Sequence, residues 1–123
     1  MRVLLGALGI VLVAGAGWAL EGSGRQPVSD QVVRGRELYR QHCATCHTEG
    51  GTGPELTADK LSEMATARIL FNFVRAAMPQ DKPGTLQEQE YWDILAHILA
   101  STSFLPPGTR LGPDTVDGIR LTK

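Results

Sequence analysis

One short segment of this chain carries residue types at a spacing that could perform a definite chemistry: Cys43-Ala44-Thr45-Cys46-His47. In this C-x-x-C-H pattern, two thiols three positions apart can add to the two vinyl groups along one edge of a porphyrin. The next residue then lies beneath the iron, where the imidazole of His47 can bind as the proximal axial ligand. The motif therefore predicts one haem c, bound covalently through Cys43 and Cys46.

Other chemistries use a similar pair of cysteines. A thioredoxin-like redox pair belongs to a strand–helix unit of a parallel sheet, and no β-rich run precedes Cys43. A zinc site needs four ligands, and the sequence has no second Cys/His pair to complete them. A structural disulfide between Cys43 and Cys46 would close a very small loop and leave His47 without a role. The haem interpretation is favoured over these three.

A pure electron carrier needs a second axial ligand, and methionine is the ligand that, together with histidine, raises the reduction potential. Of the three methionines, Met1 lies at the extreme N-terminus and Met64 lies in a helical stretch, where a core role is favoured. Met78 ends a predicted helix and is followed by Pro79, in a segment free to turn its side chain toward the iron. We therefore predict Met78 as the distal ligand.

Two alternatives to Met78 are an open distal site and ligation by another histidine. His42 directly precedes Cys43, so the attachment geometry should turn it away from the ring. His97 lies near the apolar side of the last helix, where a packed or hydrogen-bonded histidine is the commoner finding.

The ends of the chain differ from the part between them. Arg2 is followed by 18 uncharged residues, many of them small, which predicts a secretory signal over residues 1–20. A retained membrane anchor is the alternative, because residues 3–20 reach the lower range for a membrane span. Both outcomes place the domain in the periplasm or on the outer face of the cytoplasmic membrane. The other predicted parts are a linker, the main domain and an irregular C-terminal arm, at residues 21–28, 29–105 and 106–123.

The charge pattern excludes one class of partner. The chain has 12 Lys and Arg against 13 Asp and Glu, a net charge of −1, and no block of basic residues. Nothing therefore supports nucleic-acid binding.

The spacing of apolar residues is helical throughout and predicts an all-α fold with three main helices. Ser29 is a plausible N-cap of the first helix, and Gly35 within it suggests a close approach of another helix. The second helix is predicted to start after Thr57 or Ser62 and the third after a capping box at Thr85–Glu88. The predicted apolar face of the second is Ile69, Leu70, Phe73, Val74 and Ala77, and that of the third is Tyr91, Trp92, Ile94, Leu95, Ile98 and Leu99.

Taken together, these pieces resemble a small monohaem class I cytochrome c from Ser29 to Leu105. The resemblance rests on the helix with Gly35 and Tyr39, the C-x-x-C-H motif, Gly53-Pro54-Glu55-Leu56, Met78-Pro79 and the helix at Glu90–Leu99. It implies that the first and last helices cross near Gly35 and an aromatic residue, with the haem in the cleft beside them. It also implies that the carbonyl of Pro54 accepts a hydrogen bond from the ring of His47. The family often has Tyr or Phe where His97 stands.

The segments Met78–Gly84 and Glu90–Trp92 are also similar to cytochromes that accompany periplasmic dehydrogenases, including quinoprotein-type and sulfur-compound-oxidising enzymes. These resemblances imply an electron carrier, not an enzyme, with a periplasmic dehydrogenase as donor and another cytochrome or a terminal oxidase as acceptor. Membrane contact is expected only if residues 3–20 are retained. Two alternatives are a haem enzyme or gas-binding module with an open distal site, and a tethered electron-entry subunit.

Overall fold

The computed structural model describes residues 29–122, so the predicted leader and linker lie outside the described residues. Within that range the chain forms five α-helices and one short 3-10 helix. They are α1 (Asp30–His42), α2 (Ala44–His47), α3 (Ala58–Ser62), α4 (Ala67–Ala77), α5 (Glu88–Ser101) and the 3-10 helix (Val116–Gly118). The described part contains no β-strand, and its one isolated bridge pairs Thr66 with Arg120. The all-α prediction is confirmed, and α1, α4 and α5 are the three main helices. Between residues 29 and 122, none of the helices has both the length and the apolar character needed to cross a membrane.

Helix α1 begins where the sequence predicts, and the second main helix does not. The hydroxyl of Ser29 accepts a hydrogen bond from the N–H of Val32 at 3.3 Å, which caps α1. Thr57 caps only the short α3; the backbone then turns at Ala65, whose φ is +62°. Thr66 makes a new cap by accepting from the N–H of Ile69. The prediction of Thr57 or Ser62 as the cap of this helix was wrong, because a residue in the left-handed region interrupts the helical stretch.

Helix α5 also starts later than predicted. Its capping box is formed by Gln87 and Glu90, and the Glu90 carboxylate accepts from the N–H of Gln87 at 2.8 Å. The hydroxyl of Thr85 instead donates to the carbonyl of Lys82 at 2.7 Å. The capping box predicted at Thr85–Glu88 was therefore two residues too early, because Thr85 is used to close the preceding turn.

Helices α1 and α5 cross in direct backbone contact. A β-carbon added at Gly35 would overlap the main-chain carbonyl oxygen of Asp93 and would lie 3.0 Å from the β-carbon of His97. One turn further along α1, the ring of Tyr39 packs on that of His97, with centroids 5.4 Å apart and planes inclined by 58°. The crossing implied by the family resemblance is confirmed. The imidazole of His97 makes the ring contact at the position where the family often has Tyr or Phe.

Helix α5 is the centre of the core. All six residues of its predicted apolar face are buried, and so are Asp93 and Ala96, so the helix is enclosed nearly all round. The carboxylate of Asp93 accepts from Arg34 at 3.0 Å and from Gln89 at 2.7 Å. These bonds compensate for burying a charge at the helix crossing.

Helix α4 buries only part of the face predicted for it. Ala67, Leu70 and Phe71 are buried, and Phe71 stacks on Trp92 of α5 with ring centroids 3.5 Å apart. Ile69 and Phe73, both assigned to the apolar stripe, are exposed. Leu70 and Val74 of the predicted face do pack on the core, so spacing found part of the buried surface but missed its extension to Phe71.

The C-terminal segment is part of the core. Leu111, Val116, Ile119 and Leu121 are buried together with Leu105. The segment contains the 3-10 helix, so it is more regular than the sequence analysis expected. Sequence reasoning missed these four residues because their spacing fits neither a helix nor a strand.

Three sets of contacts hold this segment against the helices. The buried side chain of Gln31 forms two hydrogen bonds with the backbone of Leu111, donating to its carbonyl and accepting from its N–H, both at 2.8 Å. The backbone of the chain end pairs with the turn before α4, where Ala67 N–H donates to Ile119 and Leu121 N–H donates to Ala65. On the surface, Arg68 donates two hydrogen bonds to Asp117, at 2.8 and 3.0 Å. The segment therefore braces the N-terminal ends of both α1 and α4.

Candidate haem site

The C-x-x-C-H motif lies on a single helical turn directly after α1. Cys43 ends α1, its N–H donating to the carbonyl of Tyr39 at 2.9 Å, and its own carbonyl accepts from the N–H of His47 at 3.0 Å. The turn of α2 thus holds Cys43, Cys46 and His47 in one compact unit. Both cysteines are free thiols; Cys43 is half-buried and Cys46 is exposed. The disulfide alternative is therefore not formed.

The two thiols lie in different surroundings. Burial, and to a smaller degree the charge of Cys46, raises the pKa of Cys43 to about 11. The free Cys43 thiol is therefore protonated at neutral pH. Conversion to a thioether removes this group from titration altogether.

The imidazole of His47 is held by the loop that follows the motif. Its Nδ1 lies 2.8 Å from the carbonyl oxygen of Pro54. A carbonyl can only accept, so Nδ1 carries the proton and Nε2 presents a lone pair. This is the arrangement by which metal-binding histidines are usually oriented. The hydrogen bond implied by the resemblance is present in the structure.

Two glycines let this loop pass closely over the motif. A β-carbon at Gly53 would lie 3.0 Å from Cε1 and 3.1 Å from Nδ1 of His47, and one at Gly51 would overlap the carbonyl of Cys46. The N–H of Gly53 also donates to that carbonyl at 2.8 Å. The family resemblance implied the role of Pro54 in this loop but not that of the two glycines, which is to let the backbone approach the ring. The proximity of glycines to a C-x-x-C-H motif was the available signal.

Tyr39 is a further residue of this group that spacing did not identify. Its hydroxyl donates to the main-chain carbonyl of His47 at 3.2 Å. Burial, followed by the charges of Cys43 and Glu55, raises the pKa of Tyr39. The phenol therefore stays protonated and able to donate at neutral pH.

Met78 belongs to a second group of residues, at the end of α4. Helix α4 ends at Ala77, and Met78 is extended (φ −119°, ψ 151°), as expected for a residue before proline. Its N–H donates to Val74 at 2.9 Å and its carbonyl accepts from the hydroxyl of Tyr91 at 2.8 Å. The prediction that Met78 ends a helix is confirmed, and its side chain is half-buried.

The other candidate ligands lie in different surroundings. Met64 is half-buried and packs against the core cluster. His42 is exposed at the end of α1. Burial and the nearby charge of Arg36 lower the pKa of His97, which is packed on Tyr39. Within residues 29–122, no three or more His, Cys, Asp and Glu side chains are grouped so that they could hold a metal ion.

The first group fits a covalently attached haem. Its two free thiols are on one turn, its histidine offers Nε2, and Gly51 and Gly53 make room for the loop that orients the ring. An all-α fold with crossing terminal helices and this turn defines a c-type cytochrome domain. The chain belongs to the family described as cytochrome c oxidase, cbb3-type, subunit III, whose model matches residues 30–98, more than half of the chain. It is an electron-transfer domain of the kind that carries covalently bound haem c.

A curated relative extends the match beyond this region. The chain is 23% identical over 103 residues to thiosulfate dehydrogenase of Stutzerimonas stutzeri (strain A1501), covering 73% of this chain and 33% of that protein. The chain thus spans about one third of the length of this relative. No solved structure matches the chain significantly.

Proposed function

We propose that this chain is a single-haem electron carrier whose haem c is attached through Cys43 and Cys46 and bound axially by His47 and Met78. The hydrogen bond from His47 Nδ1 to the Pro54 carbonyl carries the proposal, since it leaves Nε2 free to bind iron. A redox dithiol would require no such orientation of the residue that follows the second cysteine, and within residues 29–122 no group of three or more His, Cys, Asp and Glu side chains could hold zinc. Met78 is proposed because it lies at the helix end where its thioether has no fixed helical direction.

Each residue of the site has one task in this proposal. Bound haem c supplies one-electron chemistry by alternating between ferric and ferrous iron. Pro54 and Tyr39 hold the ring and the backbone of His47 so that the proximal bond keeps one geometry in both oxidation states. With haem c bound, Met78 would supply the second ligand, and its thioether would raise the potential and exclude substrates and small ligands. The protein is therefore a carrier and has no catalytic residue of its own.

We place the carrier in the periplasm or on the outer face of the cytoplasmic membrane, with residues 1–20 as signal peptide or anchor. Membrane attachment would come only from a retained segment at residues 3–20. The electron donor is a periplasmic dehydrogenase and the acceptor is another cytochrome or a terminal oxidase. Similarity to a thiosulfate dehydrogenase supports a dehydrogenase as donor. Because only a third of that protein is covered, its activity is not transferred to this chain.

Intact-mass measurement of the mature holoprotein tests the attachment. The expected mass exceeds that of the polypeptide by one haem, and acid–organic extraction leaves the haem on the chain. Replacing Cys43 or Cys46 by serine should leave at most one thioether and much less mature protein. A haem that extracts freely would overturn the proposed attachment, and the same mass reports whether residues 1–20 remain.

Optical spectra test the distal ligand. The oxidised protein should show a sulfur-to-iron charge-transfer band in the far red and bind carbon monoxide poorly when reduced. Met78→Ala should remove the band, open the site to carbon monoxide and lower the potential. Met64→Ala is the matched control: it should lower stability through a lost partly buried side chain and keep the band. A parent protein that binds carbon monoxide rapidly would favour the open-site alternative.

Reduction by substrate separates a carrier from an enzyme. Thiosulfate alone should leave the oxidised holoprotein oxidised, whereas thiosulfate with a periplasmic thiosulfate dehydrogenase should reduce it. Rapid reduction by thiosulfate alone would contradict the carrier assignment and indicate a catalytic haem domain.

A further inference from the structure

Tyr91 occupies an unusual place for a core residue. Its side chain is 2% exposed on α5, yet its hydroxyl reaches the segment that joins α4 to α5. The hydroxyl donates to the carbonyl of Met78 at 2.8 Å and accepts from the N–H of Leu86 at 3.4 Å. One phenol group therefore ties the first residue of the connecting segment 78–86 to its last.

Apart from the Met78 N–H bond to Val74 at 2.9 Å and the packing of Leu86 against the core, the other hydrogen bonds of this segment lie within it. Residues 80–85 are all exposed. Within it, the N–H of Lys82 donates to Pro79 at 2.9 Å and the hydroxyl of Thr85 donates to Lys82 at 2.7 Å. The N–H of Gly84 lies 3.5 Å from the Met78 carbonyl oxygen, which is long for a hydrogen bond. The bond from Tyr91 is thus the short contact that anchors the Met78 backbone to the rigid core helix.

We infer that Tyr91 is a positioning residue for the distal ligand: its hydroxyl holds the Met78 backbone where the thioether stays on the iron. The inference rests on the proposed ligation by Met78. In the closed state the Met78 thioether is on the iron, and in the open state it has moved away. A hydrogen bond made only in the closed state stabilises that state. Its removal should raise the population of the open state, and a competing ligand should bind more tightly in proportion.

The second tyrosine of the chain offers a comparison on the proximal side. The chain contains two tyrosines, and each donates its hydroxyl to the main-chain carbonyl of a proposed axial ligand, Tyr91 to Met78 and Tyr39 to His47. Both are aromatic side chains of the main helices, and Phe in either place removes one oxygen atom. The Tyr39 change should act on the backbone of His47, and the Tyr91 change on that of Met78.

The test is titration of the oxidised holoprotein with imidazole, which competes for the distal position. Loss of one hydrogen bond should make imidazole bind about threefold to tenfold more tightly to Tyr91→Phe than to the parent. The far-red band should weaken, whereas Ser101→Ala, which removes an exposed hydroxyl bonded to Ile98 at the other end of α5, should keep the parent affinity. Equal imidazole affinity in Tyr91→Phe and parent, with Met78→Ala still much tighter, would overturn the positioning role and leave the proposed function intact. A parent protein without the band would overturn both.

A second experiment strengthens the Tyr91 hydrogen bond instead of removing it, so the opposite change in imidazole affinity is expected. In the Tyr39→Phe background, Tyr91 is the one remaining tyrosine of the chain, so biosynthetic 3-fluorotyrosine labels it alone. Fluorine makes the phenol a stronger donor, and imidazole should then bind more weakly than in the unlabelled background. Unchanged or tighter binding of imidazole would contradict the inference, even if Tyr91→Phe matures poorly.

Discussion

Gly35 of α1 lies against the main-chain carbonyl of Asp93 on α5, so closely that a β-carbon at position 35 would overlap that oxygen. No side chain can be inserted at this point without moving one helix against the other. The same turn of α5 carries the buried Asp93 carboxylate, paired with Arg34 at 3.0 Å. This close helix contact and the ion pair between buried Asp93 and half-exposed Arg34 therefore coincide.

Gly35→Leu should lower the free energy of unfolding by about 1–3 kcal/mol or more, because the overlap involves backbone on both sides. Thermal unfolding of the holoprotein measures the change. Gly118→Ala is the control, since a β-carbon there would meet nothing within 4 Å. A Gly35→Leu protein that unfolds at the parent temperature would show that this crossing tolerates a side chain.

Gly53→Ala should disturb the proposed proximal ligand while leaving the fold in place. The new β-carbon would lie 3.0 Å from Cε1 of His47, so the ring must shift and its bond to Pro54 should lengthen. A weaker bond makes the imidazole a poorer electron donor, and the reduction potential should become more positive. Potentiometric titration checks this. Gly112→Ala, where the added carbon meets no neighbour, should leave the potential unchanged.

Gln31→Leu should destabilise the protein by about 2 kcal/mol or more, because it leaves the buried N–H and carbonyl of Leu111 without partners. Chemical denaturation followed by tryptophan fluorescence measures this loss. Gln41→Leu is the matched control on the same helix, since Gln41 is exposed and bonds only to Glu37. Equal stabilities of the two variants would argue that the C-terminal segment is held by its apolar side chains alone.

His97→Phe should flatten the dependence of stability on pH. Burial, and secondarily the charge of Arg36, lowers the pKa of His97 in the folded protein. The unfolded chain therefore takes up this proton first as the pH falls below about 6.5. The contribution of His97 is present above that pH and is lost below it. Melting temperatures between about pH 7 and pH 5 should fall less in His97→Phe than in the parent, with Arg36→Gln between them. Parallel curves for the parent and His97→Phe would contradict this assignment.

The sequence predicted those parts of the fold that rest on local patterns. The Ser29 cap, the apolar face of α5 and the end of α4 at Met78 follow from side-chain chemistry near each position, and the structure has all three. The C-x-x-C-H turn could be predicted for the same reason, because attachment and proximal ligation need residues that are adjacent in the chain.

The rest depends on contacts between distant segments. Nothing local distinguishes Gln31 from an exposed helical glutamine, yet its two bonds reach Leu111. Asp93 is enclosed because α1 crosses above it, and Ile69 is exposed because α4 faces Trp92 with Phe71 instead. Spacing defines an apolar arc but not which part of that arc meets another helix.

The two hydrogen bonds between Gln31 and Leu111, here called the clasp, join residues 80 positions apart. Both segments must be in place before these bonds can fix the N-terminal end of α1. Contacts of such long range slow folding, because the entropy of closing the loop between them is lost before they form. The attachment turn at positions 43–47 lies inside that loop. Because the turn is made of neighbouring residues, its formation does not depend on the clasp. A cofactor could therefore be attached to the chain before the clasp forms.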